Sequence, residues 1–186
     1  MKPEDRRRFP PQAVGLKDGR QGVIRPLATD DAVALGDFYA TVPREDLRFY
    51  CPHPLTREKA AENAAAADSP YQVVLVLEAP DRTIAGYAWY RWTEENASRS
   101  TLGICIRRDF QGVGAGQALL ARLLEIAREI GPPIVSLTVQ LANARGRALY
   151  QKMGFRVVRE QVRPADPALG LEAEPEYYME RRVRGE

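Results

Sequence analysis

The segment Gln111-Gly112-Val113-Gly114-Ala115-Gly116 constrains this chain more than any other. It follows an apolar strand-like run, Leu102–Ile106, and opens a helical pattern in which Leu119, Leu120, Leu123, Ala127 and Ile130 line one face. That stripe predicts a helix laid against a sheet, and Gly131-Pro132-Pro133 stops it. A glycine-rich turn at a helix start gathers bare backbone N–H groups and the positive end of the helix dipole at one point. Phosphate oxygens bind there, so the turn calls for an anionic ligand of pyrophosphate size. A Walker loop is excluded because Gln117-Ala118 stand where Lys-Ser or Lys-Thr is needed. A dinucleotide fingerprint would place its third glycine at Gln117 and an acid at the end of the next strand, and both are missing. A turn that serves only chain reversal stays open on this segment alone.

Around the turn the pattern reads as one α/β layer architecture with a mixed sheet. Val23–Leu27 is a short strand, Thr29 caps a helix to about Val42, and Thr56 caps a second helix that ends near Ser69-Pro70. The segment Arg48–Leu55 between them, with Cys51 and two prolines, is expected to be a loop lining a substrate pocket. Tyr71–Ala79 and Ile84–Trp92 form a hairpin, and Leu102–Ile106 the next strand. After the long helix come a strand at Ile134–Val139, a helix at Arg145–Met153, a strand at Phe155–Val162, a loop over 163–176 and a final strand at Tyr177–Val183. Residues 1–21, with Arg6, Arg7 and Arg8 beside prolines, are expected to be a flexible, solvated arm, and 22–186 a single domain.

Composition removes several chemistries. The 27 basic and 25 acidic residues leave a net charge of +2, which does not suit broad nucleic-acid binding. Cys51 and Cys105 are too few for a cysteine metal site and the single histidine, His53, for a histidine cluster, so no metal is expected; a Ser-His-Asp triad built on His53 would lack the Gly-x-Ser-x-Gly turn that presents its serine. No apolar stretch nears the ~20 residues of a membrane helix, and the first residues lack a signal-peptide apolar core. A cytoplasmic protein without a membrane partner is the expectation.

Gln111, Gly114 and Gly116 match the (Q/R)xxGx(G/A) motif A of the GCN5-related N-acetyltransferase (GNAT) family, and the segment resembles it. Asn143, Tyr150, Gly154 and Phe155 resemble the same family's motif B in type and spacing. The resemblance extends over about Gly22–Arg184; Gly146 departs from the alanine often found there and should loosen its helix by about 1 kcal/mol. It implies a largely antiparallel sheet flanked by helices, its fourth and fifth strands splayed around an acyl-CoA. It further implies cofactor binding by Ile104, Ile106, Gln111, Gly112, Val113, Gly114, Ala115, Gly116, Gln117 and Asn143, with Arg107 or Arg108 as optional charge near the phosphates. Tyr150 would protonate the departing thiolate, in direct transfer of an acetyl group from acetyl-CoA to a primary amine of a small molecule or a protein. Asn143 could equally cap its helix. Glu94, Glu95, His53 and Tyr50 are candidate bases by loop position only, and none is selected. Glu172, Glu174 and Glu176 could attract a cationic amine, against the simpler reading of a solvated loop. A non-catalytic acyl-CoA sensor is the alternative, and a homodimer through the final strand as an exposed edge is also open.

Overall fold

The computed structural model describes residues 1–50 and 53–185, so Cys51 lies outside the described residues. The chain runs α1 (Pro3–Arg8), β1 (Gln12–Gly15), β2 (Gln21–Pro26), α2 (Ala32–Ala40), α3 (Arg57–Ala65), β3 (Gln72–Glu78), β4 (Ile84–Arg91), β5 (Arg99–Ile106), α4 (Ala115–Ala127), β6 (Ile134–Gln140), α5 (Ala144–Lys152), β7 (Arg156–Arg163) and β8 (Glu174–Arg182). Single 3-10 segments stand at Thr29–Asp31, Arg44–Phe49 and Arg108–Phe110. All eight strands join one sheet in the order β1-β2-β3-β4-β5-β6-β8-β7. Every neighbouring pair is antiparallel except β5 with β6.

Strands β3 and β4 are buried along almost their whole length. Their continuous apolar runs, rather than alternation, reflect helices on both faces. On one face α4 lays Leu119, Leu120, Leu123 and Leu124 onto Leu75, Leu77, Ala88 and Val135. On the other, Leu35, Phe38 and Tyr39 of α2 and Ala60 of α3 pack on Val74, Val76, Tyr87 and Trp89. No helix among the described residues is long and apolar enough to cross a membrane.

The parallel pair supplies the feature that shapes the molecule. Its register covers only Arg99↔Ile134, Ser100↔Val135 and Thr101↔Ser136. The closed end is fastened by Ser136 Oγ donating to Ser100 O at 2.8 Å, with both serines buried. Beyond Thr101 the strands part, leaving Leu102–Ile106 hydrogen-bonded to β4 on one side only. These are the expected splayed strands, shifted by one in chain order because β1 precedes them.

Residues 1–21 correct the expectation of a solvated arm. β1 pairs with β2 over Gln12–Gly15, and Phe9 and Leu16 are buried in the α4-side core. Arg6 donates to Asp68 at 2.7 and 3.0 Å, and Arg8 to Glu129 at 2.7 Å, so only part of the arginine run faces solvent freely. The final strand is corrected too: β8 lies between β6 and β7, and the edge is β7, where Val157, Val158 and Val162 are exposed. The loop before it is shorter than expected, since Glu174 and Glu176 already belong to β8.

Thr56 caps α3 as expected, its hydroxyl accepting from Lys59 N–H at 3.2 Å. Thr29 does not cap. The entry to α2 is held instead by Asp31, whose carboxylate reaches back to accept from Ala28 N–H at 2.7 Å and from both ends of the Arg25 guanidinium at 2.6 and 2.8 Å. Arg25 also donates to Glu78 at 2.8 Å, so one guanidinium ties β2, β3 and the entry to α2. Burial pushes the Asp31 carboxyl up, but Arg25 and the Ala28 amide outweigh it and hold the group below its ordinary 3.8. A carboxyl depressed on folding stabilises above its unfolded pKa, and that contribution fades as pH falls through the lower folded value. Asp31→Ala is therefore expected to cost about 2 kcal/mol at neutral pH, by losing the turn bond to Ala28 and leaving the partly buried Arg25 guanidinium with Glu78 as its remaining carboxylate. Urea unfolding at pH 7 and again near pH 2 measures this, with the difference between the two proteins shrinking in acid.

Candidate functional site

The mouth of the parted strands is a cleft of about 580 Å³. Its walls come from five places: the β1–β2 turn, β5 and the 3-10 turn after it, the first turn of α4, α5 with its entry, and the segment Thr41–Tyr50. Ile104, Ile106, Gln111, Gly112, Gly114, Gly116, Gln117, Asn143 and Tyr150 all line it. Val113 and Ala115 do not; Ala115 is fully buried and Val113 packs on the core, so only their backbone can serve a ligand.

The α4 start has the geometry that anion binding requires. Gly112 and Gly114 hold φ of +81° and +95°, a region closed to most side chains, which turns the chain sharply from the 3-10 segment into the helix. Gly114 is the N-cap residue, and no side chain among the described residues caps this end. The first backbone bond into the helix is Ala118 N–H to Gly114 O at 3.0 Å. The amides ahead of it have no intrahelical acceptor, and Gly114, Gly116 and Gln117 of this turn line the cleft. In the same turn, Gly116 lets α4 approach its neighbours so closely that a Cβ there would stand 3.5 Å from both Ile106 of β5 and Leu149 of α5.

Gln111 is a tether. Its Nε2 donates to Ile106 O at 2.9 Å and its Oε1 accepts from Arg145, which joins the end of β5 to the first turn of α5 across the cleft. Asn143 caps α5, with Oδ1 accepting from Gly146 N–H at 2.8 Å, while its side chain also borders the cleft. A Cβ at Gly146 would lie 2.7–2.9 Å from the Asn143 amide atoms, so glycine at this position leaves room for the cap. The helix propensity lost there is offset by a bond that alanine would disturb.

Tyr150 is buried against Phe155, edge to face at 5.9 Å, and its side chain reaches the cleft. Among the described residues its hydroxyl has no hydrogen-bond partner, and burial beside Cys105 pushes the phenol above its ordinary 10. Cys105 is also in the cleft wall, where desolvation raises the thiol to about 12. It is therefore un-ionised near neutrality and a poor nucleophile.

The candidate bases fare differently. Glu94 and Glu95 sit in the exposed turn before β5, at the closed end of the parted strands. His53 does not line the cleft. Its Nδ1 pairs with Pro54 O at 2.9 Å and its Nε2 with Asn63 Nδ2 at 3.3 Å, which fits the neutral tautomer, and burial lowers its pKa below 6.5. Tyr50 does line the cleft, but its hydroxyl accepts from Trp89 Nε1 at 3.1 Å and burial raises its pKa well above 10. Arg107 and Arg108 are both occupied, the first by Asp109 at 2.7 Å and the second by Asp46 at 2.8 and 2.9 Å and Glu45 at 3.0 Å. Glu174 is paired with Arg48 and Arg163, and Glu176 is buried with Gln161 donating to it at 2.7 Å, so neither is a solvated loop acid.

Two residues were not singled out by sequence and belong here. Asp46, on the 3-10 segment, holds Arg108 against the cleft mouth. Lys17 lines the cleft from the β1–β2 turn, its N–H donating to Val113 O at 3.0 Å. The signal for Lys17 would have been a strand pair flanking it, and β1 is too short and exposed to show one.

Comparison with known proteins agrees with this geometry. The chain is 32% identical over 124 residues to mycothiol acetyltransferase of Propionibacterium freudenreichii subsp. shermanii, covering 62% of this chain and 40% of that protein. It is 31% identical over 90 residues to the L-amino acid N-acyltransferase MnaT of Escherichia coli, covering 47% of this chain and 52% of that one. These matches thus span about half or less of the curated relatives' lengths. Among solved structures, yncA of Salmonella typhimurium with its cofactor acetyl-CoA superposes with a TM-score of 0.73 at 19% identity, covering 89% of this chain and 95% of that one, a likeness of fold. The profile of the acetyltransferase (GNAT) family matches residues 38–155, from within α2 to the residue after Gly154, and so takes in every wall of the cleft except the β1–β2 turn. The chain belongs to the GNAT acetyltransferase family.

Proposed function

We propose that the chain is an acyl-CoA-dependent N-acetyltransferase that passes an acetyl group directly to a primary amine of a small molecule. The observation that carries this is the uncapped first turn of α4 opening on a cleft between parted strands. The fit to CoA is chemical as well as spatial: bare amides for a pyrophosphate, and an unpaired stretch of β5 for an extended amide-bearing arm. The amides of Val113–Gln117 would hold the phosphates, and Ile104 and Ile106 would border the arm. When bound, acetyl-CoA supplies a thioester that an amine can attack.

The Tyr150 hydroxyl, free of any other described partner, donates its proton to the departing sulfur. The high thiol pKa of Cys105 argues for direct transfer over an acyl-enzyme. The segment Arg44–Phe49, anchored by Arg108 to Asp46 at one end and by Arg48 to Glu174 toward the other, confines the acceptor side and favours a small amine. Two of the curated relatives, named for mycothiol and for L-amino acids, support the same substrate class, while another is named for a ribosomal protein.

Thiol release from acetyl-CoA over a panel of amino acids, aminothiols and polyamines, with mass detection of the acetylated product, tests this. Amine-dependent release is expected. Binding of CoA without release on any amine would favour the sensor, and no binding would end the acyl-CoA reading. An alkyl ammonium of pKa ~10.4 costs roughly 4.6 kcal/mol to present as free amine at pH 7. The rate at subsaturating amine should therefore climb toward alkaline pH, and an acid-side step abolished by His53→Gln would contradict the placement of His53 outside the site.

A further inference from the structure

Four cationic side chains line the cleft, and three are spoken for: Arg107 by Asp109, Arg108 by Asp46 and Glu45, and Arg145 by the Gln111 amide oxygen. Lys17 has no ion-pair partner among the described residues. Its sequence neighbour Asp18 is taken by Arg20, which is itself stacked on Phe110 at 3.8 Å from the ring centroid. The position of Lys17 is fixed by its own backbone, whose N–H is bonded to Val113 O within the glycine turn. Its stem runs over Gly114, with Cγ and Cε 3.7 and 4.0 Å from where a Cβ on that glycine would stand. The stem thus passes the opening turn of α4 at the cleft wall, on a residue that lies outside the segment matched by the family profile.

We infer that Lys17 is a cofactor-binding residue, its ammonium pairing with a phosphate of CoA over the first turn of α4. The β1–β2 hairpin is then a working part of the donor site, delivering a cation to a turn that carries none of its own. Lysine suits this position, because a compact charge on a flexible stem can follow a phosphate that is itself only partly enclosed. Two phosphate sources share this chemistry, the pyrophosphate and the 3′-phosphate of the adenosine. The inference rests on the acyl-CoA reading above.

Calorimetric titration of the full chain and its Lys17→Ala variant with CoA and with dephospho-CoA, at low and moderate salt, decides it. Because Lys17 is exposed, the expected loss is about three- to tenfold in Kd at low ionic strength, shrinking as salt rises. Lys17→Arg should recover most of it. Equal loss with both ligands places the lysine on the pyrophosphate, and loss with CoA alone places it on the 3′-phosphate; either supports the inference. Equal CoA affinity of wild type and Lys17→Ala overturns it and leaves the acyl-CoA reading intact, whereas a wild type that does not bind CoA removes that reading itself. A further control uses the phosphate-free donor S-acetylpantetheine. If Lys17→Ala slows turnover of that donor as much as of acetyl-CoA, the lysine acts by shaping the turn, and phosphate binding is overturned.

Discussion

Gly114→Val is expected to raise the Kd for CoA about a hundredfold while costing the fold only about 1–2 kcal/mol. Gly114 holds φ at +95°, where a β-branched residue is strained by contact between its Cβ and the backbone. The chain relieves that strain by rotating the turn, which redirects the amides that precede Ala118 N–H, the first donor bonded within α4. Each charge-assisted bond from an amide to a phosphate is worth roughly 1.5–3 kcal/mol, so losing two comes to about 3 kcal/mol, or about two powers of ten in affinity. The added side chain also presses on the Lys17 stem, 3.7 Å from the new Cβ. Stability suffers less because the turn borders the cleft and not the packed interior. Calorimetry with CoA beside urea unfolding separates the two effects. A variant that binds CoA within about threefold of wild type would mean that the amides are not the grip.

Tyr150→Phe is expected to lower kcat about a hundredfold with little change in the KM for acetyl-CoA. The value is the usual worth of one positioned proton donor. The structure makes this substitution unusually clean. The ring's packing against Phe155 survives in phenylalanine, and the hydroxyl leaves no described partner behind. Thermal stability should therefore stay the same or rise slightly, since no buried donor is stranded. A fall in kcat and KM together, or unchanged turnover in a stable variant, would reduce Tyr150 to a packing residue.

What could be read from the sequence is what local pattern encodes. The apolar stripe from Leu119 to Ala127 and the glycines before it fixed α4 and its exposed start, because both depend on residues within a few positions of one another. Thr56 was legible for the same reason. Thr29 misled, since the bonds that make Asp31 the better acceptor come partly from Arg25 on another element. The first 21 residues were misread because their apolar side chains, Phe9 and Leu16, are separated by charge and proline, and the short β1 shows no alternation. Lys17 was hidden with them. For Asn143 the sequence left two roles open, and the cap to Gly146 accounts for one without excluding contact with a ligand in the cleft it borders. The charge on Arg107 and Arg108 could be seen, but the carboxylates that hold Arg108 could not, since Asp46 and Glu45 lie 62 and 63 residues away.

Backbone amide NMR shifts on addition of CoA report most directly on whether the opening turn of α4 is the phosphate grip. The amides of Val113–Gln117 are expected to move most, with smaller changes along Leu102–Ile106 and none in the Thr93–Ser98 turn. Saturating CoA that leaves Val113–Gln117 unmoved while shifting amides elsewhere would contradict that grip.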